Sequence, residues 1–299
     1  MTRSTTRSTT RAEKKRTEQE AREKALCIVW ERLGTQLPAV DRATREARLF
    51  GITSISCRLG DYRGRYEAAK GVLLAAAAGK LDRLRYLDIN NSYIEDVGAL
   101  ARLTCLTRLD IGRARGFYQP KARRALASAL ASLIGLRSLD ISYCPLLTRA
   151  GIHEGLTGLT SLNIRGNYLW DVEELTVLAA LTGLRSLDIA SCHLFGNAAE
   201  TIARLTGLTS LDVSDNDEYD YDAFYGGGFG GEGFRALTAL TGLRELRASC
   251  CDLGPSAAET IARLTGLTSL QVSGNPDLNR DGAFDRALCE LTGLRDLSP

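Results

Sequence analysis

Histidine is almost absent from this chain: there are two among 299 residues, His153 and His193. Without a histidine cluster, metal sites and imidazole acid–base chemistry have little to work with. Net charge is also nearly absent. With 38 Lys/Arg against 36 Asp/Glu the formal charge is +2, so no global field points to nucleic acid. No stretch approaches the roughly 20 apolar residues that span a bilayer, so no membrane segment is expected. The start, MTRSTTRSTTRAEKKR, lacks the apolar core of a cleaved secretory signal. The glycine run Gly226-Gly227-Gly228 has no Lys or Ser/Thr at phosphate-loop spacing and sits among acids, which excludes a nucleotide cradle.

What is there instead is a repeat. A Leu-x-x-Leu-x-x-Leu-x-Ile phrase recurs nine times, with its last leucine at Leu87, Leu109, Leu139, Leu162, Leu187, Leu211, Leu246, Leu270 and Leu297. Two residues before these anchors Arg and Thr alternate: Arg85, Thr107, Arg137, Thr160, Arg185, Thr209, Arg244, Thr268, Arg295. Five residues after them, from the third repeat on, Cys144, Asn167, Cys192, Asn216, Cys251 and Asn275 alternate in the same phase. Two independent positions in one phase imply a duplicated two-repeat unit. The period predicts an α/β leucine-rich-repeat solenoid: a curved parallel sheet of nine strands with convex helices. Cys144, Cys192 and Cys251 then fill a buried turn position as small apolar residues. Cys105 falls beside a strand, and Cys27, Cys57 and Cys289 fall in helices. All eight are expected to be reduced thiols in a reducing compartment.

The predicted organisation has three parts. Residues 1–15 form a disordered polar tail and 16–80 a helical N-terminal capping region. Residues 81–299 form the solenoid. Residues 1–24 carry eight Lys/Arg and four Glu. Their Ser/Thr/Arg-rich opening fits a type III secretion signal, an organelle transit peptide or a plain solvated tail. Two repeats are lengthened. After Leu109 come Arg113, Arg115, Lys121, Arg123 and Arg124 with no acid among them, and Pro120 suits the first turn of a long helix. After Leu211, residues 205–234 hold seven acids and no Lys or Arg. Both insertions follow Thr-type strands, so both are expected on one rim, about 20 Å apart.

Side chains next to the anchors should point out from the concave face. The row after them reads Asp88, Asp110, Asp140, Asn163, Asp188, Asp212, Arg247 and Gln271. A stacked aspartate row suits a basic partner; the alternative is a solvated repeat consensus balanced by the arginine column. In the acidic insertion Tyr219, Tyr221, Phe224 and Tyr225 offer anchors for recognition; the alternative is a tolerated surface loop. Its acids lack calcium-loop spacing. On either reading residues 217–233 should add nothing to the core. Cys192-His193 and Cys250-Cys251-Asp252 do not place a nucleophile beside a base, so no enzyme and no cofactor are expected.

Three stretches carry a family resemblance: Gly98-Ala99-Leu100-Ala101 before Leu103–Ile111, the run from Leu205 to Asn216, and Asp281-Gly-Ala-Phe-Asp-Arg-Ala-Leu288. Residues 81–299 resemble the GALA-type leucine-rich-repeat effectors of plant-associated bacteria. The resemblance implies type III secretion into a host cell and, through an N-terminal F-box, an adaptor of a host ubiquitin ligase. Leu37-Pro38, Leu49, Ile52, Ser54, Ile55, Ser56 and Arg58 are the F-box candidates, although Ala39-Val40-Asp41-Arg42 departs from the acidic-apolar helix of that motif. Three functions follow: an effector binding a host protein by its concave face and rim, a ligase adaptor docked through 25–66, or an intracellular bacterial scaffold. The last strand, ending Leu297-Ser-Pro299, is expected to be a weak edge, either pairing in a homodimer through residues 275–299 or only marginally ordered.

Overall fold

Each short strand is shaped by its anchor. Leu at one position and Ile or Val two residues later point to the same side, which is the core. The computed structural model describes residues 52–57, 62–94, 96–117, 119–144, 156–167, 175–194, 198–216, 229–230 and 232–298. The tail, most of the expected cap, Cys27 and residues 217–228 lie outside them. Among the described residues, ten three-residue strands form one parallel sheet in chain order. They are β1 (Ser54–Ser56), β2 (Tyr86–Asp88), β3 (Arg108–Asp110), β4 (Ser138–Asp140), β5 (Ser161–Asn163), β6 (Ser186–Asp188), β7 (Ser210–Asp212), β8 (Glu245–Arg247), β9 (Ser269–Gln271) and β10 (Asp296–Ser298). The anchors stack in register, from Ile55 against Leu87 to Leu270 against Leu297. From Leu87 to Leu270 every anchor is buried.

The sheet therefore begins one strand before the first leucine phrase. Ile55 is that strand's anchor, and Cys57 is its second inward residue at 5% exposure. The expectation that Cys57 lies in a helix is thus corrected. The sequence hid β1 because Thr53-Ser54-Ile55-Ser56-Cys57 contains no leucine. Helix α1 (Tyr62–Ala77) follows it and buries Ala68, Ala69, Val72, Leu73, Ala75 and Ala76. It packs against the 3-10 turn Val97–Arg102 of the next repeat, as a convex element does.

The other convex elements are α2 (Pro120–Ala131), α3 (Ala198–Ile202), α4 (Pro255–Arg263), α5 (Ala283–Glu290) and several 3-10 turns. Pro120 opens α2 where its missing N–H costs nothing, and Leu126, Ala129 and Leu130 face the core. The acidic insertion rejoins the core earlier than its composition suggests. Phe229 is fully buried and meets Phe234 edge-to-face at 5.9 Å. A Cβ at Gly230 would collide with the Cys251 and Asp252 carbonyls, so only glycine fits there. The reading of 217–233 as free of core residues is overturned by Phe229.

The double alternation has a direct physical cause. Asn216 sends its amide Nδ2 to Ile189 O (3.1 Å) and Val213 O (2.7 Å). Its Oδ1 accepts from the Cys192 and Leu194 N–H groups at 2.9 and 3.1 Å. Asn275 does the same to Cys251 and Leu253. On the opposite side of the strands Thr209 Oγ1 donates to Arg185 O (3.0 Å), while Arg185 Nη1 donates to Gly207 O (2.9 Å). Arg137–Thr160 and Arg244–Thr268 repeat that exchange. Each Arg/Cys repeat is thus clamped to the Thr/Asn repeat after it, although Asn167 does so through its Nδ2 alone, to Ile141 O and Ile164 O, with its buried Oδ1 unbonded among the described residues. The Gly207 position must lack a side chain because a Cβ there would meet the Arg185 guanidinium. Between pairs the corresponding side-chain bond is a single thiol: Cys144 to Ile111 O (3.2 Å), Cys192 to Ile164 O (3.3 Å) and Cys251 to Val213 O (3.1 Å).

The clamp sets a stability order. Asn216→Ala strips two buried N–H groups and three carbonyls of their partner and should cost ~3 kcal/mol or more. Cys192→Ala loses one weak donor and should cost ~1 kcal/mol. Urea melts of both variants provide the comparison; equal losses would remove the distinction between pair and seam.

Candidate functional site

The concave face begins with how each strand ends. The fourth residue past the anchor adopts a left-handed conformation in eight consecutive repeats: Asn91, Arg113, Tyr143, Gly166, Ser191, Asp215, Cys250 and Gly274, with φ between 50° and 74°. Six of these are not glycine, so the turn needs local support. The aspartate row supplies it. Oδ1 of Asp88, Asp110, Asp140, Asn163, Asp188 and Asp212 accepts the backbone N–H two residues on, at 2.9–3.2 Å. Asn163 fits the row because its carbonyl oxygen makes the same bond. At Arg247 the row breaks, and the Ser249 N–H turns to Ser214 Oγ of the preceding repeat (3.3 Å).

The row is uneven as a surface. Asp88 and Asp110 are buried at 1% and 3% exposure. Asp88 Oδ2 also accepts from Ser56 Oγ (2.9 Å) and the Tyr86 hydroxyl (3.2 Å), and Asp110 Oδ1 from Asn90 Nδ2 (3.0 Å). Asp140 accepts from Ser142 Oγ (2.7 Å) and Asn163 Nδ2 (2.9 Å). Toward the C-terminal half the oxygens face cations: Arg165 lies 3.6 Å and Arg247 3.9 Å from Asp212 Oδ2. Arg165 also reaches Asp215 at 2.7 Å, two strands further along the sheet.

Electrostatics follow this packing. Burial pushes the Asp188 carboxyl up to about 6, with Asp212 and Asp140 adding and the Ala190 N–H and Arg165 opposing. Burial likewise raises Asp110, aided by Asp140 and Asp88 against the Asn90 and Gly112 bonds. Arg165 is held above its ordinary value: burial opposes, but the Tyr143 hydroxyl, Asp188 and Asp212 outweigh it. Burial pushes the Cys144 and Cys192 thiols up to about 12, so neither ionises near neutrality. No disulfide joins the seven cysteines of the described residues, and no group of three or more metal-ligating side chains forms among them. No helix there is long and apolar enough to cross a membrane.

Two contacts were illegible in the repeat pattern. The Arg108 guanidinium lies over the Tyr86 ring at 5.3 Å, and Arg113 lies over Tyr143 at 4.7 Å. The Tyr143 ring also rests on Gly166, where a Cβ would strike it, and Arg165 Nε donates to its hydroxyl at 3.4 Å. A continuous rim therefore runs Arg113–Tyr143–Arg165–Asp215. The aromatic anchors of the acidic insertion, Tyr219, Tyr221, Phe224 and Tyr225, lie outside the described residues.

No family model and no curated protein matches the chain. Among solved structures, an internalin C2 from Listeria monocytogenes superposes with a TM-score of 0.54 at 22% identity, over 76% of this chain and 84% of that one. An internalin F from the same organism gives 0.44 at 17% identity over 91% and 93%. Only the first likeness has weight, and it concerns architecture: the chain is a leucine-rich-repeat solenoid.

Asp188 titrates with a definite sign. Its folded value lies above the ordinary one near 4, so the native state holds the extra proton and stability falls as pH rises from about 4 to about 6. Asp188→Asn keeps the turn acceptor, as Asn163 does, and removes the charge. It should flatten that slope and raise the urea midpoint at neutral pH. An unchanged slope would show that Asp188 is solvated like an ordinary carboxylate.

Proposed function

We propose that this protein is a protein–protein interaction module, a type III secreted bacterial effector that binds a host protein through its concave face and one rim. The single observation that supports binding most is the division of charge along the sheet. In the N-terminal half, exposed Arg108 and Arg113 rest on tyrosines and form no ion pair with any described residue. In the C-terminal half Arg165 and Arg247 are neutralised by Asp212 and Asp215. Cations held in place with no counter-charge among the described residues are a cost to the free protein that a partner can offset. The aspartates Asp88, Asp110, Asp140, Asp188 and Asp212, with Arg247, then frame the face, and Tyr219, Tyr221, Phe224 and Tyr225 extend it from the insertion.

The effector assignment draws on the resemblance of residues 81–299 to GALA-type repeats and on the polar, Ser/Thr/Arg-rich start. The fold shared with an internalin C2 agrees with a binding role. The adaptor reading is weaker because Ile52, Ser54, Ile55 and Ser56 belong to the edge of the sheet, with Ser54–Ser56 forming β1, rather than to a free docking helix. An intracellular scaffold uses the same face and differs only in where the partner is found.

Host-extract capture discriminates among these. Ser161→Arg with Ser186→Arg crowds the concave face, whereas Glu259→Arg alters the exposed side of α4. The first should release the retained host proteins and the second should keep them; equal retention by both would place binding elsewhere.

Export is tested separately. Residues 1–24 fused to a reporter should pass into host cells from a type III-competent strain and fail to pass from a secretion-deficient one. Transfer no greater than a scrambled control would sink the effector assignment and leave the binding surface intact.

A further inference from the structure

We propose that the N-terminal half of the concave face and its rim bind an acidic peptide segment of the partner, with carboxylates received by Arg108 and Arg113. The proposal rests on the reading of this face as a protein-binding surface and names the chemistry of what it takes.

Arginine presents a planar fork of donors, and a ring beneath the plane fixes the fork without using its N–H groups. Both exposed arginines are held that way: Arg108 over Tyr86 on the face, and Arg113 over Tyr143 at the rim. They leave strand β3 and the turn after it five residues apart, so at most about 17 Å of extended chain separates them. A short peptide reaches both. Arg113 is fixed further by its left-handed backbone at φ 56° and by the Tyr143 ring resting on Gly166. The connection from β3 to β4 is one-sided in charge, with Arg113 and Arg115 at the rim and Lys121, Arg123 and Arg124 on the convex helix α2. Between Asp110 and Asp140 the chain holds Arg113, Arg115, Lys121, Arg123, Arg124 and Arg137 and no acid.

The same geometry disfavours nucleic acid. The Tyr143 ring is taken up by the Arg113 guanidinium and by the close approach of Gly166, which leaves it a poor platform for a base. The aspartate column beside Arg108 also runs through Asp88, Asp110 and Asp140 along the face. A phosphate backbone with charge at every unit would cross those carboxylates. A peptide can place its acids opposite the arginines alone.

Fluorescence anisotropy of the full chain with a labelled peptide alternating Glu and Gly tests this. Saturable, salt-sensitive binding is expected, weakened about tenfold by Arg108→Gln or Arg113→Gln. Tyr143→Leu removes no charge but releases the guanidinium, so it should weaken binding several-fold with an unchanged thermal melt. Arg263→Gln, on the exposed side of the convex helix α4, should bind as the wild type does. Absence of saturation, indifference to Arg113→Gln, or tighter binding of a single-stranded oligonucleotide of equal charge would each overturn the proposal. Binding that emerges only after the acids of 217–222 are changed to amides would also overturn it by assigning the site to this chain's own segment. If concave-face variants release host proteins while the peptide never binds, this proposal falls and the binding-surface reading stands.

Discussion

The buried asparagine amide is the interaction on which the array depends. A three-residue strand followed by a sharp turn leaves several backbone groups inside the solenoid with no strand partner. Each such group costs free energy unless it is bonded. Asn216 answers both kinds of need at once, its NH2 serving carbonyls of two successive repeats and its oxygen serving two N–H groups of the earlier one. Cysteine at the same position has one weak donor and cannot return the favour. Alternating the two makes the unit a pair of repeats, and the Arg–Thr exchange on the opposite side of the strands closes the same pair.

That arrangement places the joints of the molecule. Pairs meet at β3 and β4, β5 and β6, and β7 and β8, where the sheet continues but the side-chain clamp is reduced to a thiol. Stability in a repeat array is close to a sum of unit and interface contributions, so these joints are where local opening is easiest. Both long insertions, after β3 and after β7, enter at such joints, where an added segment does not interrupt a clamp.

Much of this was legible in the sequence because a three-residue strand has no alternative register once every anchor is leucine. The period gave the sheet, and the shared phase gave the pair before any bond was seen. What escaped did so for physical reasons. Ile55 and Cys57 bury the same apolar surface as Leu and Ile without the phrase that announces it. Phe229 lies in a glycine-rich, acidic neighbourhood whose average composition reads as solvent-exposed. The aspartates look like a surface charge pattern, yet their first task is to hold a turn N–H, and outward-pointing strand positions cannot reveal that. Arg165 and Asp215 are fifty residues apart, and no local rule pairs them.

The rim contacts fall into place against the joints. Arg113 on Tyr143 spans the joint of β3 and β4, Arg165 with Asp215 spans that of β5 and β6, and Arg247 with Asp212 spans that of β7 and β8. Within pairs the asparagine bonds are buried and neutral and the Arg–Thr bonds exposed; across joints a buried thiol is joined by charged contacts at the surface. Surface ion pairs are individually weak and yield to salt or to a competing charge. An acidic ligand at Arg113 would therefore act where the solenoid is held most loosely, and recognition there would be coupled to the stiffness of the first joint. On the proposed reading, binding surface and mechanical joint would coincide because both call for the same thing: charge kept near water, positioned by packing, and not consumed by the core.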